Sequence, residues 1–448
     1  MREQEYNRRK KSRLRIACLL LAGLLWLGGC GRTAAVSETA SEAGETAAGE
    51  TAAGETAAGG AEAGETAAER NAAGDTEAVE TTAEKNAVGE TAAGDAAEEA
   101  SLAGLSWEAS LPLEYAQNFS VDYYEGGYTL LTTHLDGERF LVVPEGKEAP
   151  EGLEEEISVI CRPVENLYLV SSSVMDIFAE LDGLGSISFS GQEEDGWYIE
   201  EARKAMAAGD IVYAGKYNRP DYELLVSGNC SLAIENMMIS HSPEVAEKLE
   251  SFGIPVIIEG SSYESHPLSR VEWVKFFGAL LGKEKEAEEI FTRQTDILER
   301  VSAGKQSGKT VAFFYITSNG LVQVRCSADY VPKMIELAGG TYVFENLGDP
   351  ETRRSTMNMQ MEEFYKGAKD ADYIIYNSSI DGGVSNVDEL LEKCPLLADF
   401  KAVQEGNAWC TTNDLYQQSL SIGYLIGDIH AMLMGEGEEG MSYLFHLE

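Results

Sequence analysis

The stretch HPLSRVEWVKFFGALLGKEKEAEEIFTRQTDILERV, residues 266–301, decides how this chain is built. Leu268, Val271, Val274, Phe276, Phe277, Leu280, Leu281, Ala287, Ile290, Phe291, Ile297 and Leu298 recur at helical spacing through it. Ser265 stands before it as a cap, and Pro267 falls in the first turn, where a missing N–H costs nothing. At 1.5 Å per residue, about 35 residues would span on the order of 50 Å, the width of two lobes. Gly278 and Gly282 are the places where such a helix would bend. No heptad partner exists for a coiled-coil seam, so the pattern predicts one bridging helix over 266–303.

What flanks the helix alternates between strand and helix. Runs at 120–124, 128–133 and 139–143 are β-rich and separated by Glu125-Gly126-Gly127 and Asp136-Gly137, which predicts hairpins or a meander. Runs at 166–171, 187–190, 211–214, 232–234 and 255–259 then read as strands, with helices at 174–181, 198–208, 221–226 and 243–252 between them. Beyond the bridge, strands are predicted at 310–316, 373–376 and 408–410. Helices are predicted there at 330–338, 361–368, 387–393 and 420–434, with Gly339-Gly340 closing the first. The expectation is therefore an α/β protein: two Rossmann-like lobes, 105–265 and 304–448, joined by one long helix. About 340 residues from Leu105 onward are enough for two lobes with real cores.

The N-terminal hundred residues are of another kind. Arg8, Arg9, Lys10, Lys11, Arg13 and Arg15 precede an apolar run of twelve residues, Ile16 to Leu27, and Leu27-Gly28-Gly29-Cys30 closes it. A spanning helix needs about 20 apolar residues, so this is an export signal, residues 1–29. The small residues before Cys30 make that cysteine the expected acceptor of lipid, with the mature chain palmitoylated and held at the outer face of a membrane. Residues 30–104 follow as a tether of Ala, Gly, Glu and Thr, in which the unit GETAA begins at Gly44, Gly49, Gly54, Gly64 and Gly89. With no aromatic residue, it cannot offset its ordering entropy and is expected to be disordered.

Charge and cysteine usage narrow the function. The chain carries a net charge of −42, to which the signal contributes +5 and the tether −13, leaving −34 on the folded part. Nothing so acidic, without a basic stripe, is built to bind nucleic acid. Cys161, Cys230, Cys326, Cys394 and Cys410 are widely spaced and odd in number, which points to single thiols rather than a disulfide framework. No HExxH, GxSxG or GxxxxGK[ST] pattern occurs, which counts against an exported enzyme. His134, His241, His266, His430 and His446 are too scattered for the converging ligands of a direct zinc or manganese receptor, the nearest alternative.

Four stretches carry a resemblance: Tyr213-Ala-Gly-Lys-Tyr-Asn-Arg-Pro-Asp-Tyr-Glu223; Gly253-Ile-Pro-Val256; residues 262–273 entering the helix; and Met361-Glu-Glu-Phe-Tyr365 with Ala371-Asp-Tyr-Ile-Ile375. Leu337-Ala-Gly-Gly-Thr-Tyr-Val343 adds to them. In this order the chain resembles the substrate-binding proteins of ABC importers for iron–siderophores, haem and cobalamin, over nearly all of 105–435. It departs at Ser269, where such proteins more often carry Gly. The resemblance implies a monomeric receptor that captures a metal chelate, a ferric siderophore first, and delivers it to a permease dimer, with no cofactor and no catalysis.

By the same resemblance, Glu223 and Glu362 sit where such proteins present one carboxylate per lobe to arginines of the permease. Ligands of open α/β sheets bind at the carboxyl ends of strands. That rule selects Ser172, Ser173, Lys216, Tyr217, Asn236, Tyr263, Glu264 and His266 in the first lobe. In the second it selects Asn319, Arg325, Ser378 and Tyr416. Lys216 and Arg325 suit anionic oxygens, while His266 and Tyr263 suit a metal.

Overall fold

Glycine turns set the first sheet. The computed structural model describes residues 102–304, 306–349 and 355–448; the export signal, Cys30 and nearly all of the tether lie outside them. Strands β1 (Trp107–Ser110), β2 (Phe119–Tyr124), β3 (Tyr128–Thr133) and β4 (Arg139–Val143) form an antiparallel meander, and β5 (Ile157–Cys161) joins β4 in parallel. Between β2 and β3, Gly126 and Gly127 take φ of +86° and +82°, a left-handed pair that side chains resist. One face of the sheet, with Val121, Leu131, Phe140 and Val142, joins the main core; the other, with Leu130, Leu141 and Val143, closes over Leu102. Strand β5 (ISVIC), behind the acidic run 154–156, is not among the strands expected from the sequence.

The second sheet of this lobe is parallel. It contains β6 (Leu167–Leu169), β7 (Ile187–Ser190) and β8 (Val212–Tyr213). A two-residue hairpin of β9 (Gly215–Lys216) and β10 (Arg219–Pro220) follows, and then β11 (Leu232–Asn236) and β12 (Val256–Glu259) complete the sheet. Their order is β12-β11-β6-β7-β8, so the winding reverses between β6 and β11. Helices α1 (Ser172–Glu180), α2 (Glu200–Ala208), α3 (Tyr222–Ser227) and α4 (Pro243–Ser251) make the crossings. Loops that bind ligands belong at the carboxyl ends on either side of such a reversal.

The bridge differs from the expected single helix. Two helices occupy 266–303: α5 (Pro267–Leu281) and α6 (Glu284–Ser302). Gly282 takes φ +75°, and the N–H of Lys283 donates to the carbonyl of Gly278 at 2.7 Å, which ends α5. The chain then turns back on itself. Lys275 Nζ lies 3.0 Å from Glu288 Oε2 and 4.1 Å from the Phe291 ring centre, contacts only a hairpin of helices allows. The apolar pattern explains the break. Helix α5 is buried on every face along almost its whole length, polar Ser269, Glu272 and Lys275 included, whereas α6 buries only Ala287, Ile290, Phe291, Gln294, Ile297 and Leu298. Nineteen residues of α6 then lead into the second lobe, a span of about 28 Å rather than 50 Å.

The second lobe is a seven-stranded mixed sheet. Its strands are β13 (Thr310–Ile316), β14 (Val322–Arg325), β15 (Thr341–Tyr342), β16 (Thr356–Met359), β17 (Tyr373–Tyr376), β18 (Ala408–Thr411) and β19 (Leu444–His446). The order is β16-β14-β13-β17-β18-β19, with β15 also on β13. Helices α7 (Tyr330–Leu337), α8 (Met361–Ala368), α9 (Val387–Lys393), α10 (Lys401–Gln404) and α11 (Ile422–Met434) complete it. The antiparallel strands β14, β16 and β19 are short and are not legible from sequence.

One core runs through both lobes. Residues of β2–β7, α5 and α6 pack continuously with Val311, Phe313, Met334, Ile375, Leu425 and Ile429 of the second lobe. Buried Glu272 of α5 ties the first sheet to this core: it accepts the N–H groups of Glu114, Tyr115 and Ala116, each at 2.8 Å, and lies 3.4 Å from Lys275 Nζ. Across the lobes, Gln417 accepts from the N–H of Tyr198 and donates to the carbonyl of Gly196, both at 2.8 Å. Ser419 Oγ donates to the carbonyl of Ser173, and the N–H of Leu420 donates to Asp176. No helix among the described residues is long and apolar enough to cross a membrane.

Candidate functional site

A cavity of about 180 Å³ opens between the lobes beside the start of α5. Gln117, Asn118 and residues 262–265 line it from the first lobe, and Ala328, Asp329, Tyr330 and Ser355 from the second. Its walls are mostly polar loop residues: Gln117, Asn118 and Ser355 lead into β2 and β16, while 262–265 and 328–329 follow β12 and β14. Asp329 caps α7 by accepting the N–H of Val331 at 3.0 Å, which places Tyr330 at the helix mouth.

Of the expected residues, Tyr263 and Glu264 line this cavity. Tyr263 is exposed, an aromatic face open to the cleft. Glu264 is buried and accepts from the N–H groups of Gln117 and Asn118 and from Trp273 Nε1 at 3.2 Å. Burial raises its pKa above the ordinary carboxylate value, against the pull of those donors. His266 caps α5: Nδ1 accepts the N–H of Leu268 at 3.2 Å, and the ring stacks on Tyr115 with centres 4.6 Å apart. Burial, with the charge of Lys333, holds its pKa below the usual value.

In the second lobe Arg325 and Tyr416 come together, with Arg325 Cζ 5.3 Å from the Tyr416 ring centre. The Tyr416 hydroxyl accepts from Asn377 Nδ2 at 2.8 Å. Arg325 is buried, and its carboxylate neighbour Asp329 is 3.7 Å away.

Other expected donors are committed to the scaffold. Ser173 Oγ donates to buried Glu259 at 3.0 Å, alongside Ser171 at 2.8 Å, and the N–H of Ser261 completes that cluster. Ser378 is buried and donates to the carbonyl of Thr411. Both serines, expected at the cleft, are buried, with their hydroxyls donated to internal acceptors. Ser172, half-buried, opens α1 beside them. Asn236 accepts the N–H of Met238 at 2.9 Å, a local turn. Asn319 accepts from Thr317 Oγ1 at 2.5 Å at an exposed loop tip. Lys216 is exposed on the β9–β10 hairpin, and Tyr217 packs on the outer core of the first lobe. Glu223 and Glu362 are exposed in the first turns of α3 and α8.

Sequence reasoning passed over Asp329 and Tyr330, which line the cavity, and Arg270, whose Cζ lies 4.2 Å from the Tyr330 ring centre. Arg270 was detectable, since it lies one turn beyond His266 on the same face of α5. Tyr330 was not, because nothing in the apolar spacing reveals the helical hairpin that carries the chain to it. Among the described residues no group of three or more His, Cys, Asp or Glu side chains is placed to hold a metal ion.

With two lobes, a helical connection and an interlobe cavity in hand, comparison with known proteins is specific. A sequence model of the periplasmic binding proteins matches residues 170–415, and this chain belongs to that family. It is 24% identical over 360 residues to an uncharacterized lipoprotein of Methanocaldococcus jannaschii, covering 75% of this chain and 85% of that one. The crystal structure of a periplasmic binding protein from Veillonella parvula superposes with a TM-score of 0.50 at 17% identity, over 60% of this chain and 91% of the other. A periplasmic haem-binding protein of Vibrio cholerae gives 0.47 at 17% identity, over 58% and 97%. The family is one of binding proteins, not enzymes.

Proposed function

We propose that this protein is a lipid-anchored receptor that captures a metal chelate between its lobes, a ferric siderophore first and haem or a cobalamin-type ligand next, and presents it to an ABC permease dimer. The observation that carries the reading is the interlobe cavity, which takes walls from both lobes and includes the aromatic faces of Tyr263 and Tyr330. At about 180 Å³ it matches part of a chelate, since pockets for whole small molecules run to about 300–1,000 Å³. The rest of the ligand then lies along the open cleft toward Tyr416 and Arg325. Capture needs only modest lobe movement, because a shared core joins the two halves.

In this reading Cys30 carries the lipid at the extracytoplasmic face of the membrane, and the acidic segment behind it spaces the receptor from that surface. Glu223 and Glu362 offer one carboxylate per lobe to arginines of the permease. The test is a panel of a ferric hydroxamate, ferric citrate, haemin and cobalamin, followed by tryptophan quenching and thermal shift on the mature chain. Saturable binding of one of them is expected. Silence toward all four, with a response to free Zn²⁺ or Mn²⁺, would overturn the reading.

A further inference from the structure

The lobes are pinned together at one short segment, residues 417–423, which runs from the loop after β18 into the start of α11. Gln417 bonds to Gly196 and Tyr198, and Ser419 Oγ donates to the carbonyl of Ser173 at 2.7 Å. The N–H of Leu420 donates to Asp176 Oδ2 at 2.8 Å, and the N–H of Gly423 donates to Gln294 Oε1 at 2.9 Å. Of all these partners only Asp176, on α1, can change its charge. It is 7% exposed.

Its neighbours are acids. Glu180 stands one turn farther along α1, Glu201 acts on it from α2, Asp414 from the loop after β18, and the Tyr443 phenol lies near it from the segment before β19. From α6, Arg293 lies 3.8 Å from Glu180, and no basic side chain forms an ion pair with Asp176 among the described residues. Asp414 belongs to the opposite lobe, and its Oδ1 is buried with no hydrogen-bond partner among those residues. An ionised Asp176 is therefore held in the junction by one backbone N–H, against three neighbouring carboxylates, and a buried unpaired charge is costly. A protonated Asp176 keeps its bond to Leu420 without that cost.

We propose that Asp176 is a proton-operated latch between the lobes: protonated, it holds residues 417–423 shut; ionised, it lets that junction part while each lobe stays folded. The inference goes beyond the receptor reading and does not depend on which ligand the cleft takes. Its direction follows from linkage. Burial raises the Asp176 pKa to about 7, against the pull of the Leu420 N–H and with the help of Glu180, Asp414 and Glu201. In a parted junction the carboxyl meets water and titrates at about 4. Parting then becomes about tenfold easier with each pH unit between those two values, and no easier above them. The lobes grip in acid and loosen toward neutral pH.

Hydrogen exchange of the mature chain, read by mass spectrometry and corrected for the intrinsic effect of pH, tests this. From about pH 5 to about pH 7.5, protection of the 417–423 amides is expected to fall at least about tenfold. The buried stretch 271–280 of α5 should stay better protected than the junction at both values. Asp176→Asn keeps an acceptor for Leu420 and cannot ionise, so its junction should hold its protection within about threefold. Junction protection in wild type that does not change with pH overturns the latch. So does a fall in which 271–280 and 417–423 are equally protected throughout, since the whole molecule would then be unfolding. A folded Asp176→Asn chain that loses junction protection as wild type does would place the titration elsewhere and overturn it as well. The wild-type comparison of junction with α5 decides the matter even if the variant does not fold.

Discussion

Glu264 and Glu272 divide a run of five consecutive backbone N–H groups between them. Glu272 takes those of Glu114, Tyr115 and Ala116; Glu264 takes those of Gln117 and Asn118. An irregular segment between β1 and β2 is thus held as firmly as a strand, and the wall of the cavity is fixed with it.

Glu272→Ala should therefore cost about 3–5 kcal/mol, because three donors lose their acceptor and buried Lys275 keeps only Glu288. Glu272→Gln, which retains one acceptor oxygen, should cost less. Urea unfolding of both variants measures the difference, and equal stability of Glu272→Ala and wild type would refute the clamp.

Asp176 gives the molecule a pH dependence at the lobe junction. Burial pushes its pKa up to about 7; the N–H of Leu420 opposes this, and Glu180, Asp414 and Glu201 add to it. With a folded value above the unfolded one, the folded state holds the proton longer. Stability from this group is intact in acid, falls as pH rises from about 4 to about 7, and is flat above. Asp176→Asn should be neutral near pH 4 and stabilising by about 2–4 kcal/mol at pH 8, since each tenfold change in proton affinity between the unfolded and folded states is worth about 1.4 kcal/mol. Glu235 is buried without a hydrogen-bond partner and raised to about 8 by burial, so Glu235→Gln should show the same sign over a window that reaches to about pH 8. Thermal melts across pH decide both; stabilisation in acid alone would reverse the argument.

At the helix hairpin, a Cβ on Gly278 would lie 2.5 Å from the Cβ of Ala287. Gly278→Leu should force α5 and α6 apart and cost about 1–3 kcal/mol or more. Gly282→Ala meets backbone strain instead, at about 1 kcal/mol. Chemical denaturation ranks the two, and the reverse order would mean the helices do not pack as described.

Charge reversal at both docking candidates, Glu223→Arg with Glu362→Arg, should abolish import into cells while the affinity for the chelate stays within about twofold. Each lies exposed at a helix start, so neither change should disturb folding. Normal uptake by the double variant would remove the docking role.

Much of the fold is legible in the sequence because apolar runs of the right period mark it. Parallel strands such as β6 and β17 are buried on both faces and read as unbroken apolar text. Strands β14, β16 and β19 escape because each has only three or four residues, too few for any alternation to stand out. The bridge departs from its expected form at a definite place: Gly282-Lys283 followed by Glu284 is a helix end and a new acidic start, but the apolar spacing on either side masks it. The carboxyl-end rule selects Tyr263 and Glu264, which line the cavity, and Arg325 and Tyr416, which meet in the second lobe. Ser173 and Ser378 obey the same rule and turn inward, since the rule locates a rim but not the direction of a hydroxyl. Arg270 is passed over by it because it stands on a helix, not in a loop.

The hydrophobic core that runs from β2 through α5 and α6 to α11 has an evolutionary consequence. A lobe of this protein is not a module that can be cut out and exchanged with a relative's, because each half would carry away an open, oily surface. New ligand preferences must then arise by point changes along the cleft rim, and a chimaera joined within residues 282–310 should aggregate where point variants remain monodisperse.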